Sequence, residues 1–369
     1  MHRDMDILLA FKGFCEAYFT GVCSAGFIYD ETFQKYEMSV IMFTNKNSGK
    51  NLRDKRRIYH LRKLIGDDGQ VFATTSVEHL EELVADLYDD MNPSKVIIDG
   101  GDSTHCTVVE KIYRHWPSGK ELPAFGLIPG GTWNLLSKQC KVKKPKKYIE
   151  DIVRGREDRL FYQGIDLMKI SMKISDDTGV EKYGFSFGIG APVKLLEEAY
   201  KRKQWKGVRV AMIIGNVLLK GKYYKKFAQE IPLKINAGLN GNSKDYSGSY
   251  AGIMANTIES VGKLPLIKPM TMFYRAQKLP GYFHLLAGSK KAIDDLWAYG
   301  IPLGWGKELP QSVIPIDAQT NSAYIYSEQK LNFQINGDLT HNVNGKIVPY
   351  CANEFHVEHG LTIKIIQSK

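Results

Sequence analysis

Two glycine pairs mark where this chain could do chemistry. Gly100-Gly101-Asp102-Ser103-Thr104 follows the apolar run Val96-Ile97-Ile98, and Gly130-Gly131-Thr132-Trp133-Asn134 follows Phe125-Gly126-Leu127-Ile128. A short apolar run that ends in paired glycines reads as a buried parallel strand feeding a tight turn. Two such turns, side by side at the carboxyl end of a sheet, sit where open α/β sheets place their ligands. Glycine lets the backbone approach a bulky anion closely, and the bare N–H groups that start a following helix meet it with partial positive charge. The chemistry this suits is phosphate binding. Neither common phosphate motif is present, because there is no G-x-x-x-x-G-K-[ST] and residues 100–103 lack the spacing of G-x-G-x-x-G.

The elements that must position these turns can be read around them. Met38 to Phe43 is a dense apolar run that predicts the first strand, and Asn45-Lys46-Asn47-Ser48-Gly49-Lys50 turns from it into a basic helix ending near Ile65. This turn is either a plain polar loop or part of a nucleotide site. Val71 to Ala73 predicts a second strand; Thr74, Thr75 and Ser76 follow, and Leu80, Leu83, Val84 and Leu87 then recur at helical spacing. The threonines could simply cap that helix. Helical spacing at Tyr148 to Gly155 closes this first region.

Beyond it the pattern changes. Segments 164–173, 183–190, 250–255, 282–286, 323–326, 331–335 and 361–366 read as short strands separated by turn residues, a pattern of antiparallel sheet or sandwich. A helical insert runs from about residue 192 to 227. Leu331 to Ile335 leads into Asn336-Gly337-Asp338, which is at least a hairpin signal. The expectation is therefore an α/β N-terminal domain with a parallel-type sheet (37–158), then a mostly antiparallel β second domain (159–369), with the active site in the cleft between them. Residues 1–36 form an N-terminal extension with no functional reading.

Composition narrows the partners. With 369 residues, two domains are expected, and 43% hydrophobic and 24% charged residues are ordinary for a globular chain. A net charge of +10 favours an anionic partner, either nucleic acid, an acidic membrane surface or a polyphosphate, and charge alone does not choose among them. The five cysteines are scattered with no C-x-x-C, which argues against a zinc site and a disulfide framework and fits a reducing compartment. Residues 1–30 are too charged for a secretory signal, and the longest apolar run, near Val210 to Leu219, falls short of the ~20 residues that span a bilayer. Six lysines between Lys138 and Lys147 are either a solvated face or a surface for an anionic leaflet. His356 and His359, three apart in a strand-and-turn segment, point to opposite faces and do not suggest a metal site.

Gly-Gly-Asp-Ser-Thr, followed about two dozen residues later by Ile-Pro-Gly-Gly-Thr-Trp-Asn, resembles the Gly-Gly-Asp-Gly-Thr and Pro-x-Gly-Thr-x-Asn pair of the diacylglycerol kinase catalytic-domain family. The resemblance extends from about residue 37 to 367 and implies an ATP-dependent lipid kinase. It would transfer the γ-phosphoryl group to a hydroxyl of a diacylglycerol-like or sphingoid-like membrane lipid. By the same resemblance Gly100, Gly101, Asp102, Ser103 and Thr104 form the triphosphate loop, Gly131 and Thr132 face it, and Asn45, Ser48 and Thr74 contact the nucleotide. Asp338 is the catalytic base, standing in a turn that resembles Asp-Gly-Glu. The cofactors implied are ATP and the Mg2+ that accompanies it, with no protein metal ligand assigned. The implied partners are nucleotide and a lipid at a membrane surface, with no nucleic acid; a homodimer is left open, and the location is cytoplasmic and peripherally membrane-associated.

The chain departs from the family pattern in several places. Ser103 replaces a glycine, and a side chain there costs strain if φ is positive. His105-Cys106-Thr107 replace apolar-Asn-Glu. Asn336 replaces an aspartate, Asp338 shortens a glutamate by one methylene, and Lys46 replaces a proline. Ala276 to Tyr282 aligns with an Asn-Asp-Gly loop in which Pro280 displaces the aspartate of a structural magnesium site, so that second-domain metal is expected to be lost. Two other readings follow: a catalytically dead nucleotide- or lipid-binding relative, and, with less support, an NAD kinase.

Overall fold

The computed structural model describes residues 40–131, 134–142, 144–175, 178–201, 224–239, 242–258, 279–295, 309–343 and 346–369. Residues 1–36, Thr132, Trp133, Lys143, most of the 192–227 insert and Ala276 to Lys278, all named above, lie outside the described residues. The chain divides into two compact units, Met1–Tyr36 and Glu37–Lys369, and the second carries the features that follow.

Its first third alternates strand and helix: β1 (Val40–Asn45), α1 (Gly49–Arg53), α2 (Arg57–Ile65), β2 (Gly69–Thr74), α3 (Val77–Ala85), α4 (Leu87–Met91), β3 (Lys95–Gly100), α5 (Asp102–His115) and β4 (Ala124–Pro129). These strands pair in parallel in the order β2-β1-β3-β4. Strand alternation explains why both faces are apolar. Ile41 and Phe43 pack with Leu80, Val84, Val109 and Ile112 of α3 and α5 on one side. Val40 and Met42 pack on the other with Leu61 and Ile65 of α2 and with Tyr148 and Ile152 of a later helix. The basic helix expected to reach Ile65 is two helices. Asp54 ends the first, its N–H donating to Lys50 O at 2.9 Å, and its carboxylate accepts from Arg56 N at 3.0 Å, which turns the chain before it resumes.

After α6 (Leu135–Gln139) and α7 (Pro145–Val153) the architecture becomes antiparallel: β5 (Leu160–Ser175), β6 (Thr178–Gly184), β7 (Ser186–Gly190), α8 (Ala191–Tyr200), α9 (Tyr224–Phe227), β8 (Ile231–Leu239), β9 (Asn242–Asp245), β10 (Gly248–Tyr250), β11 (Gly252–Asn256), β12 (Phe283–Gly288), α10 (Lys290–Asp294), β13 (Ile316–Thr320), β14 (Ser322–Ile335), β15 (Thr340–Val343), β16 (Lys346–Pro349) and β17 (Cys351–Ser368). The sheet order is β13-β12-β11-β7-β14-β17-β4-β3-β1-β2, so the last strand of the chain returns to join the parallel strands, with Ile365 opposite Phe125. The fold is thus a parallel α/β part followed by an antiparallel β part, as the patterning predicts.

Two strand boundaries differ from expectation. Segments 323–326 and 331–335 form the single strand β14, whose register against β17 shifts between Tyr326 and Leu331. The 183–190 segment breaks at buried Phe185: β6 pairs with β5, whereas β7 pairs with β11 and β14. That break matters, because Asn336 fills it.

Candidate active site

The carboxyl ends of β1, β3 and β4 meet at one point. The order β2-β1-β3-β4 means that the chain leaves β1 and β3 toward opposite sides, which opens a crevice at the strand ends. Here the glycine pairs press against each other backbone to backbone. Gly130 N donates to Gly100 O at 2.6 Å, and Gly131 N to the same oxygen at 3.2 Å. A Cβ on Gly131 would come within 2.5 Å of Gly101 Cα, and one on Gly130 within 2.9 Å of Gly100 Cα. Gly130 and Gly131 are therefore required by loop-on-loop packing, independently of any ligand. The β1 turn joins them, since Lys50 N donates to Gly130 O at 3.1 Å and Asn45 Nδ2 to Thr104 Oγ1 at 2.9 Å.

Helix α5 starts between these loops with Gly101 at its N-cap, so no side chain closes its first N–H groups. Asp102 faces sideways instead. Its two carboxylate oxygens accept from Leu135 N and Leu136 N, each at 2.9 Å, capping the next helix. Asn134 completes that second loop in left-handed geometry (φ 52°), accepting from Gly131 N at 2.8 Å and donating to Gly131 O at 2.7 Å. The motif reading gives Asn134 no role, although asparagine's tolerance of positive φ is a signal for it. Removing the Asp102 carboxylate in Asp102→Ala leaves two helix-start N–H groups without it. A loss of about 2–3 kcal/mol of stability is expected, and urea denaturation measures it.

The positive φ that would strain Ser103 does not occur. Ser103 is the second residue of α5, and among the described residues positive φ outside glycine is confined to Asn92, Asn134, Lys141 and Asn336. His105 and Cys106 are buried core residues of the same helix. Burial lowers the His105 pKa and raises that of the Cys106 thiol well above its usual value, so both are neutral packing groups.

Ser48 and Thr74 are both buried at the strand ends. Thr74 Oγ1 donates to Thr44 O at 3.4 Å. The Ser48 hydroxyl has no hydrogen-bond partner among the described residues, a state that costs free energy unless something polar meets it. Beneath this turn lies a polar network that sequence reading missed. Asp99, fully buried, accepts from Thr44 Oγ1 at 2.9 Å and Asn51 Nδ2 at 3.2 Å, and forms an ion pair with Arg57. A charge in a strand otherwise apolar was the signal.

Asn336-Gly337 is a two-residue hairpin turn, with φ of 55° and 86°, closed by Asp338 N donating to Ile335 O at 2.9 Å and Ile335 N to Asp338 O at 3.1 Å. Asn336 Oδ1 accepts from Phe185 N at 2.9 Å, stitching the turn into the break between β6 and β7. Tyr200 donates to Gly337 O at 3.1 Å. The turn brings half-buried Asp338 toward the start of α5, within electrostatic reach of Asp102. Desolvation raises the Asp338 pKa to about 6; the Ser103 side chain opposes that shift and the nearby Asp102 charge adds to it.

Where the second-domain metal loop was aligned, Gly281 N donates to Asp166 Oδ2 at 3.1 Å and Thr362 Oγ1 to Asp166 Oδ1 at 2.6 Å. Among the described residues no group of three or more His, Cys, Asp or Glu side chains could hold a metal ion. His356 meets Ser322 Oγ at 3.1 Å, and His359 lies 3.5 Å from Asp166 Oδ1.

Comparison with known proteins bears on this arrangement. Residues 39–163 match the family model of the diacylglycerol kinase catalytic domain. A provisionally assigned diacylglycerol kinase from Bacillus anthracis str. Sterne is similar in structure (TM-score 0.60, 15% identity), covering 90% of this chain and 97% of that one. A solved diacylglycerol kinase from the same organism matches with TM-score 0.57 at 16% identity over the same shares of the two chains. No curated protein matches in sequence. At these identities the structural likeness speaks for the fold, and the family match speaks for the segment that carries both glycine loops. Residues 39–163 thus match the diacylglycerol kinase catalytic-domain model, within a chain whose two-part fold is similar to that of those bacterial proteins.

Proposed function

We propose that the protein is an ATP-dependent lipid kinase. The observation that carries this reading is the open start of α5, capped only by Gly101, with the β1 turn and the second glycine loop against it and the Asp338 carboxylate beside it. In the family so matched, phosphoryl transfer needs a held nucleotide, offset phosphate charge and an oriented hydroxyl. Free N–H groups at the start of α5 would meet the phosphates, and the orphaned Ser48 hydroxyl would gain a partner there. Gly100, Gly101, Ser103, Thr104 and Gly131 form the rest of this cradle, with Asn45 and Thr74 supporting it. Thr132 is proposed by motif position alone. Mg2+ would arrive with the nucleotide and offset its charge; the Asp102 oxygens are already committed to two backbone donors.

Asp338 would take the proton of the acceptor hydroxyl as its oxygen attacks the γ-phosphorus and ADP leaves. A base must be ionised, so activity should fall as pH drops through about 6. The sign for stability is opposite. Because the folded pKa is raised, protonation favours the folded state, and this contribution is lost as pH rises from about 4 through about 6. A kcat/KM profile that loses its acid limb in Asp338→Asn would support the assignment; a limb that persists unchanged would assign it elsewhere.

The lipid acceptor implies work at a membrane surface. No helix among the described residues is long and apolar enough to cross a membrane. Lys138, Lys141, Lys144, Lys146 and Lys147 are exposed, and Lys141 lies 5.8 Å from the ring of Phe161, which is itself 46% exposed. Bases around an apolar ring suit an anionic leaflet. Co-sedimentation with anionic vesicles should weaken as salt shortens the reach of these charges. Equal binding to neutral vesicles at every salt concentration would defeat this surface. The reading as a whole is tested by ADP formation from MgATP that depends on an added lipid extract; no lipid dependence would sink it.

A further inference from the structure

We propose that Asp99 is a positioning residue for the nucleotide cradle, acting through Asn51 on the β1 turn that carries Ser48. The inference rests on the reading of that turn as part of a nucleotide site, and it concerns a fully buried carboxylate beneath the turn.

Strand and helix periodicity bring the parts together. Asp99 stands two residues after Ile97 and so on the same face of β3; Arg57 stands four before Leu61 and so on the same face of α2. Ile97 and Leu61 belong to one apolar layer, and one step along each element the contact becomes ionic. Arg57 meets Asp99 with both arms of its fork, Nη2 on Oδ1 and Nε on Oδ2 at 3.4 Å. Thr44 Oγ1 and Asn51 Nδ2 donate to Oδ2 at 2.9 and 3.2 Å. One carboxylate thus ties β3 to β1, α1 and α2.

The Asn51 amide carries this anchorage to the turn. Its Nδ2 also donates to Asn45 O at 2.7 Å, the same oxygen that accepts from Ser48 N at 3.0 Å and closes the turn. From there Asn45 Nδ2 reaches Thr104 of α5, and Lys50 N reaches Gly130 O of the second glycine loop. A displaced Asn51 therefore displaces Ser48, whose buried hydroxyl has no partner among the described residues. Small displacements of a positioned polar group are enough to weaken what it binds.

A buried charge could instead act on the phosphates at a distance, and the two roles have opposite signs. A carboxylate repels an anionic ligand, so an Asp99 that acted only by its charge would weaken binding, and its removal would tighten it. An Asp99 that positions the turn strengthens binding, and its removal loosens it.

The test is calorimetric titration of the full-length protein with MgATP. Asp99→Asn keeps the outline of the side chain but turns an amide NH2 toward groups that donate to the carboxylate. Asn51→Leu cuts the link to Asn45 O and leaves the Arg57–Asp99 pair intact. Each should weaken MgATP binding about tenfold or more, while turnover at saturating MgATP changes little. The double variant should bind about as weakly as the weaker single one, because both changes cut one path. Tyr148→Phe loses a hydrogen bond to Ile366 O in the same layer without touching the turn. It should melt lower and bind as the parent does, which separates lost stability from lost position. If Asp99→Asn fails to fold, Asn51→Leu carries the test, with the same loss expected. Folded variants that bind MgATP as tightly as the parent or more tightly, single losses that simply add, or an equal loss in Tyr148→Phe would overturn the inference. Failure of the parent protein itself to bind MgATP would bring down the nucleotide reading, which is a distinct outcome.

Discussion

Turnover by Asp338→Asn falls at least about a hundredfold, while affinity for MgATP stays close to that of the parent protein. The substitution keeps the size and the hydrogen-bonding outline of the side chain and removes only its ability to accept a proton. The hairpin should survive it, because Asn336 and Gly337 hold the turn through backbone and amide contacts that do not involve the Asp338 side chain. Positioned bases contribute on the order of 10² to 10⁴-fold, which sets the lower bound on the loss. Rapid-quench measurement of the transfer step, with nucleotide titration alongside, separates chemistry from binding. Wild-type turnover would exclude Asp338 as the base. The Asp102 carboxylate, with both oxygens accepting helix-start N–H groups, would be a poor substitute.

The second large effect is expected at the glycine loops. Gly101→Val should lower nucleotide affinity by more than about a hundredfold and melt near the parent protein. A Cβ at position 101 meets Gly131 Cα at 3.4 Å, the near edge of ordinary contact, and the valine methyl groups extend further into the opposite loop. The loops must separate, which displaces both the start of α5 and the second loop that faces it. Overpacking of this kind typically costs about 1–3 kcal/mol, little enough for the sheet beneath to stay folded. Calorimetric titration with MgATP reads the effect. Full binding by a folded Gly101→Val protein would remove these loops from the nucleotide site.

Much of the parallel half was legible because its signal is local. Apolar runs at 40–45, 95–100 and 124–129 end in turn residues, and strands buried on both faces carry the continuous apolar pattern that results. The glycine pairs were legible for the same reason, yet their cause was only half seen. They permit close approach of an anion in principle, but in the folded chain they first permit the two loops to touch. What sequence could not supply is contact over long separations. The Asp99–Arg57 ion pair and the Asn336–Phe185 bond across 151 residues each join elements whose meeting depends on the whole topology. Ser103 shows the cost of this: as a single letter it leaves a strained, positive-φ backbone open, whereas its place in the first turn of α5 makes it unstrained. The long strand β14 was divided for a similar reason, since polar residues at its register shift imitate a turn.

The central claim is that this site moves a γ-phosphoryl group onto a lipid hydroxyl. The most direct measurement is to incubate the full-length protein with MgATP labelled in the γ-phosphoryl group and a mixed lipid extract, then separate the organic phase. The account predicts a labelled phospholipid that forms in step with ADP and is absent with Asp338→Asn. Tight MgATP binding with no label in any lipid would contradict it and leave a protein that binds the nucleotide without using it.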